Sequence, residues 1–156
     1  MKIFSLRISA IVLLYTLFGI CSVSSYAQKP ASWLCLVDDE ISTISFDANN
    51  ITRDQRGNYV VWVETEFHTL EWQQYMTRTV RSKSRVVRTK TKAVYNDIFS
   101  DALVREVYCY DRNNRQVAHR NESSRGWAPV NASDPVGIVG EFLSDNIHRV
   151  LAGNED

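Results

Sequence analysis

The sequence predicts a single α+β domain in which an antiparallel sheet packs one face against a C-terminal helix, with a second helix inserted between strands. Two observations lead to this prediction. Short runs of alternating polar and apolar residues occupy the first and last thirds of the chain beyond residue 27, which is the pattern of half-buried strands. After Asp134, apolar residues recur at spacings of three and four, which is the pattern of an amphipathic helix.

The strands follow from the alternating runs and the turn residues between them. Residues 32 to 38 and 41 to 46 predict two strands, and residues 59 to 67 predict a long central one. A later hairpin combines a strand over residues 102 to 110, a polar turn, and a return strand over residues 116 to 122. The return strand is polar on both faces, so we expect it near an edge of the sheet.

The two helices differ in how well their ends are marked. Asp134 is a good N-cap, Pro135 suits the first helical position, and Gly153 can end the C-terminal helix. Gly137 and Gly140 weaken its first turns, so we expect them where the helix approaches the sheet closely. The inserted helix spans about residues 70 to 82 and places Trp72, Tyr75 or Met76, and Thr79 or Val80 on one face.

The N-terminal 27 residues have the form of a secretory signal peptide. Lys2 and Arg7 precede an apolar run over residues 8 to 20, and the small-residue exit Ser25-Tyr26-Ala27 follows. The run is shorter than the about 20 residues of a membrane span, and a lipoprotein would need a small residue where Ile20 precedes Cys21. We therefore expect residues 28 to 156 to form an exported domain in the periplasm, at the cell surface or outside the cell.

Charge excludes some classes of partner. The 18 basic and 18 acidic residues of the chain balance, and loss of Lys2 and Arg7 with the signal peptide leaves a charge of −2. No global field therefore favours nucleic acid or an anionic membrane.

Export also changes how the cysteines are interpreted, because disulfides persist outside the cytoplasm. Cys35 and Cys109 either form a bridge between neighbouring strands or remain two buried free thiols.

No pattern of catalytic or metal-binding residues stands out. His68, His119 and His148 are not spaced as metal ligands, and neither a nucleophile elbow nor a phosphate loop occurs. The acidic run over residues 38 to 40 and the polar bend over residues 47 to 50 are explained as turns, since the bend lacks the glycine and glutamate of a calcium loop. We predict no enzyme activity, no cofactor and no metal site.

A basic segment is the most unusual feature of the exported domain. Seven basic residues and no acidic one lie between residues 78 and 92. One interpretation is a contact surface for a protein or an anionic polymer. The other is a solvated helix face followed by an edge strand that Lys and Arg keep soluble. With a neighbouring aromatic residue, the candidate contact residues are Trp72, Arg78, Arg81, Lys83, Arg85, Arg88, Lys90 and Lys92.

The order of motifs resembles bacterial domains of the surface-adhesin protein E type. The motifs are Trp33, Ile44-Ser45-Phe46-Asp47 with Ile51-Thr52-Arg53, Val60-Val61-Trp62-Val63-Glu64-Thr65, Val107-Tyr108-Cys109-Tyr110-Asp111, and Trp127-Ala128-Pro129-Val130 before the last helix. The resemblance implies an antiparallel sheet with a C-terminal helix. It also implies an exported, non-enzymatic module, some relatives of which attach to host proteins. The family often has a cysteine near its C-terminus that this chain lacks, and residues 68 to 100 are longer and more basic, so no ligand contacts are carried over.

These observations favour an exported, adhesin-like binding module that contacts host or envelope macromolecules through its surface. One alternative is a periplasmic structural or assembly protein that pairs with an envelope partner through a sheet edge, and such an edge would also allow a homodimer. A second alternative is a small hydrolase with an unrecognised site. Fold alone does not decide among them.

Overall fold

The computed structural model describes residues 30–122 and 124–153. The predicted signal peptide, residues 1 to 27, lies outside the described residues. The elements alternate between one large sheet and two helices, which confirms the α+β prediction. In chain order they are β1 (Trp33–Asp38), β2 (Ser42–Asp47), a 3₁₀ turn (Ala48–Asn50), β3 (Thr52–Arg53), β4 (Tyr59–Phe67), α1 (Leu70–Thr79), β5 (Arg88–Tyr95), β6 (Asp101–Tyr110), β7 (Gln116–Asn121), β8 (Ala128–Pro129) and α2 (Pro135–Ala152).

The sheet is antiparallel throughout, in the order β1-β2-β4-β5-β6-β7, with β3 paired to β4 and β8 paired to β6. The return strand β7 lies at an edge, as its polar faces predict. The interpretation of the basic segment as an edge strand is wrong for Arg88–Tyr95, because β5 lies between β4 and β6.

Register divides the side chains between two faces, because directly opposed residues of an antiparallel pair point to the same side. We call the side packed against the helices the helix face, and the other side the open face. On the helix face, Phe46 opposes Val63, and Val61 opposes Ala93, and all four are fully buried. One row of the open face runs across six strands through Cys35, Ser45, Glu64, Lys90, Tyr108 and His119.

Helix α2 closes the core over the helix face. The Asp134 side chain accepts a 2.8 Å hydrogen bond from the Gly137 amide, which confirms the predicted N-cap. Val139 and Leu143 are fully buried against the sheet. A Cβ atom on Gly140 would lie 2.8 Å from Cε1 of Tyr95, so this glycine permits the close approach that the sequence predicts.

Helix α1 lies over the same face but packs less deeply. It ends at Thr79, three residues before the predicted end, and Arg81 then turns the chain with a φ of 54°. Met76 and Thr77 are half-buried toward the sheet, whereas Trp72 and Tyr75 are exposed. The prediction that Trp72 shares one face of this helix with Tyr75 or Met76 is therefore only partly correct.

The predicted bridge between Cys35 and Cys109 is wrong, since both are free thiols. Cys35 is exposed on β1 in the open face, and Cys109 is buried on β6 in the helix face. Three strands lie between β1 and β6, which sets the two backbones about 19 Å apart, whereas a disulfide needs Cα atoms within about 7 Å. The expectation of buried free thiols holds for Cys109 alone.

Candidate functional site

The structure splits the predicted contact residues between the two sides of the sheet. Trp72 and Arg78 belong to α1, over the helix face, and Arg81, Lys83 and Arg85 follow in the segment leading to β5; all five are exposed. The remaining three, Arg88, Lys90 and Lys92, lie on β5 and are half-buried in the open face. The eight residues therefore do not form one continuous basic surface.

Carboxylates of the flanking strands neutralise the basic residues of β5. Glu64 on β4 lies 3.7 Å from Nε of Arg88 and 3.5 Å from Nζ of Lys90. Glu106 on β6 lies 3.4 Å from Nζ of Lys92. These pairs explain why a strand rich in Lys and Arg can occupy the interior of the sheet, since its charges meet opposite charges across both ladders.

Aromatic rings complete this arrangement. Lys90 Nζ lies 4.8 Å from the ring centre of Trp33, and Lys92 Nζ lies 5.5 Å from that of Trp62. The Tyr108 ring lies between Trp62 and His119, with centroid separations of 5.9 Å and 4.3 Å. Cation–π contacts of this kind contribute about 0.5 to 1 kcal/mol at exposed sites, so they favour the observed positions of Lys90 and Lys92.

Glu106 joins the charged and aromatic parts of the open face. Its carboxylate accepts hydrogen bonds from Oη of Tyr108 and Nζ of Lys92, and it also lies 3.6 Å from Nε2 of His119. The Tyr108 hydrogen bond is the largest cause that holds the pKa of Glu106 below its ordinary value, and with Lys92 and His119 it outweighs the opposing effect of burial. The same bond raises the pKa of Tyr108.

A shallow hollow of about 460 Å³ opens on this face. Its aromatic wall consists of Trp33, Trp62, Tyr108 and Tyr110, and its polar lining includes Asp47, Lys90 and Gln116. The Asp47 carboxylate accepts hydrogen bonds from the amide of Ser32 at 3.1 Å, the amide of Asn49 at 3.2 Å and the side chain of Asn50 at 2.7 Å. These bonds occupy the carboxylate of Asp47 within the protein and leave Lys90 as the accessible charge in the hollow.

A second concavity of about 290 Å³ lies on the helix face between α1 and α2. Threonines of β4 and β5 line its floor, and Trp72, Met76 and Val136 line its sides. Its lining also holds paired charges, since Glu122 lies 2.9 Å from Nε of Arg120 and 2.6 Å from Nε of Arg125. The two concavities lie on opposite sides of the sheet.

The histidines and cysteines do not converge. His68 contacts the carbonyl of Asp39 at 2.8 Å and Oγ1 of Thr43 at 3.1 Å, while His119 lies on β7 and His148 on α2. In residues 30–122 and 124–153, no group of three His, Cys, Asp or Glu side chains could hold a metal ion. Burial raises the pKa of the Cys109 thiol to about 11, only partly offset by Arg120, so this thiol is neutral at pH 7.

No family model, curated protein or solved structure matches this chain. Within the described part of the chain, no helix is long and apolar enough to cross a bilayer. The resemblance to surface-adhesin protein E therefore stays a prediction.

Sequence reasoning did not single out the aromatic residues of the hollow. Trp62 and Glu64 are two residues apart, and so are Glu106, Tyr108 and Tyr110. This spacing places each set on one side of its own strand. That signal is visible in the sequence. The sequence does not show that β5 pairs with both β4 and β6. This pairing brings both sets beside Lys90 and Lys92.

Proposed function

We propose that this protein is an exported, non-enzymatic binding module that holds its partner on the open face. The observation that carries the proposal is the set of four half-buried aromatic side chains around the hollow, on the side away from both helices. The solvent-facing side of an antiparallel sheet is ordinarily polar. Trp, Tyr and Arg are the residues that most often dominate binding energy at interfaces.

The fixed positions of these aromatic side chains support the same role. They stand on strands that are paired on both sides, except for Trp33 on the edge strand β1. Ring contacts with Trp62 and His119 hold Tyr108 in place before any ligand arrives. A preorganised surface loses less conformational entropy on binding than a mobile one.

The signal-peptide pattern and the resemblance to surface-adhesin protein E support an exported, adhesin-like module. Host or envelope macromolecules are the partners that this location would offer. The exposed basic residues Arg78, Arg81, Lys83 and Arg85 then become a secondary contact region beside α1. Among the described residues, no carboxylate forms an ion pair with any of these four.

Site-specific photo-cross-linking in the producing cells tests the proposal. A photoreactive residue at Gln116, an exposed position in the lining of the hollow, should form an adduct, while one at Ser144, exposed on α2, should not. The combined substitutions Trp33→Ala and Trp62→Ala should abolish the adduct at position 116. Equal adducts from both positions, or an adduct indifferent to the tryptophans, would contradict the proposal.

A second candidate function is envelope assembly through the edge strand β1. Within the described residues β1 has a strand on one side only, and its Leu34 is 41% exposed. Cys35 on the same strand is an exposed free thiol. If β1 pairs with another chain, a thiol-directed photo-cross-linker attached to Cys35 should form an adduct with that chain in cells, and Cys35→Ser should prevent it. A labelled chain that stays unlinked would argue against this function.

A further inference from the structure

We propose that the hollow binds an acidic saccharide, a sugar chain whose rings carry uronic carboxylates. This inference rests on the proposed binding role of the open face and adds the chemical class of the ligand. It is carried by the hydrogen-bonding groups, the rings and the single accessible charge of the hollow.

The hollow is rich in hydrogen-bond donors. Three donor groups there have no hydrogen-bond acceptor among the described residues: Nε1 of Trp33, Nε1 of Trp62 and Oη of Tyr110. A fourth donor, Nζ of Lys90, lies 3.5 Å from the Glu64 carboxylate. An indole nitrogen only donates, and an ammonium group only donates. Because the carboxylate of Asp47 already accepts three bonds from the protein, the ligand must bring most of the acceptors. Hydroxyl, ring and carboxylate oxygens of a uronic acid supply them.

The aromatic wall suits the apolar faces of sugar rings. Trp33 lies on β1 and Trp62 on β4, with β2 between these strands. That arrangement separates their backbones by about 10 Å, so two different sugar rings of one chain can each contact one indole. Indole and phenol rings offer an apolar face together with a polar edge, as a pyranose ligand requires. The volume of about 460 Å³ is in the range of small-molecule sites.

Lys90 can turn toward a ligand carboxylate without leaving a carboxylate of the protein unpaired. Its present partner Glu64, 3.5 Å away, also lies 3.7 Å from Nε of Arg88. That Arg88 nitrogen is buried and has no hydrogen-bond partner. When Lys90 pairs with the ligand, Arg88 remains as the counter-ion of Glu64, so the exchange avoids the cost of an uncompensated charge.

The charges argue against a densely charged polyanion such as polyphosphate. The three basic residues of β5 face three carboxylates of the same surface, Glu64, Glu66 and Glu106. A surface balanced in this way produces little long-range attraction. One accessible ammonium beside aromatic rings fits one carboxylate per sugar ring better than a run of phosphates.

A titration of the purified exported domain with a galacturonate hexamer tests the inference, with tryptophan fluorescence or calorimetry as the readout. The hexamer should bind, whereas maltohexaose, a neutral hexamer, should bind at least ten-fold more weakly. Lys90→Met keeps the bulk of the side chain and should weaken galacturonate binding at least ten-fold, with little effect on maltohexaose. Trp62→Phe should weaken both, because it removes one donor and shrinks the ring.

Two exposed tryptophans outside the hollow provide matched controls. Trp127→Phe and Trp72→Phe should leave galacturonate binding unchanged, since these residues are 44% and 45% exposed and do not line the hollow. Thermal melts of all variants show whether each remains folded, and a folded Lys90→Arg variant should retain binding.

Several results would overturn the inference. Equal affinity for the neutral and acidic hexamers would remove the role of Lys90, and equal affinity for polyphosphate would reduce the site to plain charge attraction. A proline-rich peptide that binds at the hollow while the galacturonate hexamer does not would assign the rings to peptide recognition. If galacturonate fails to bind but cross-linking at position 116 still requires Trp33 and Trp62, the ligand class is wrong and the binding role of the open face stands.

Discussion

Tyr95 shows how a single buried polar atom ties the last helix to the sheet. Its ring is fully buried and packs 5.6 Å from that of Phe99. Its hydroxyl donates a 2.7 Å hydrogen bond to the carbonyl of Val136 in the first turn of α2. Burial is the main cause that raises the pKa of Tyr95, with Asp134 adding to it, so the phenol stays a donor at all ordinary pH values.

Removal of this hydroxyl should weaken the fold. Tyr95→Phe keeps the ring but removes its hydrogen bond to the Val136 carbonyl, so the free energy of unfolding should fall by about 1 kcal/mol. Urea unfolding followed by circular dichroism measures the change. Tyr75→Phe is the control, because Tyr75 is 51% exposed, and its effect should stay within about 0.5 kcal/mol. Equal stabilities of wild type and Tyr95→Phe would contradict this account of the bond.

A substitution at Gly140 tests the same contact between α2 and Tyr95. Alanine usually stabilises a helix relative to glycine by about 1 kcal/mol, but here the added Cβ would lie 2.8 Å from Cε1 of Tyr95 and 3.0 Å from Val130. Because the Tyr95 ring is buried and cannot retreat, Gly140→Ala should destabilise the domain by about 1 to 3 kcal/mol. Chemical denaturation gives the value.

Gly126→Ala is the matched control for this substitution, since a Cβ there would meet no atom within 4 Å. It should leave stability nearly unchanged. If Gly140→Ala instead raises stability as an ordinary helix substitution does, α2 does not approach the sheet as closely as described.

At the scale of elements, β5 is the strand that distinguishes this sheet. It carries Arg88, Lys90 and Lys92 yet lies in the interior, because β4 and β6 present carboxylates to it. On its other side, Ala93 and Tyr95 belong to the core. The strand therefore uses one side for packing and the other for the ordered charges of the open face.

The ladder between β5 and β6 should make stability depend on pH. The folded-state pKa of Glu106 lies below its ordinary 4.5, so the ionised carboxylate stabilises the native state above that value, and this contribution is lost as the pH falls through the folded pKa. Wild type should lose more stability between pH 7 and pH 3 than Glu106→Gln does. Urea unfolding of both proteins at both pH values measures the difference, and parallel pH profiles would contradict the assignment.

Local signals predicted the elements better than their arrangement. Asp134 and Pro135 mark the start of α2 within the sequence itself, and alternation defines β4 and β6. Which strands become neighbours depends on contacts far apart in the chain. For that reason the sequence pattern allows a contact between Cys35 and Cys109, although three strands lie between β1 and β6.

The open face was missed for the same reason. Alternation shows which residues of one strand share a side, but it does not show that Glu64 meets Lys90 or that Tyr108 packs against Trp62. The basic segment looked like one surface because it is continuous in sequence. In the structure its first half follows α1 and its second half enters the sheet.

At the scale of the whole molecule, both helices lie on one side of the sheet, and the ion pairs of β5 and the rings of the hollow lie on the other. The helix face supplies the core that stabilises the domain, with Phe46, Val61 and Leu143 among its fully buried residues. This division leaves the open face available for binding without disturbing the core. The central claim is that the partner contacts the open face.

Hydroxyl-radical footprinting on the producing cells, analysed by mass spectrometry, tests that claim most directly. Oxidation of Trp33, Trp62 and Tyr110 in cells should be lower than in the purified domain, while oxidation of Trp127, which lies outside the hollow, should be unchanged. Protection confined to Trp72 and Tyr75 would instead assign the contact to α1, and that result would contradict the proposed role of the open face.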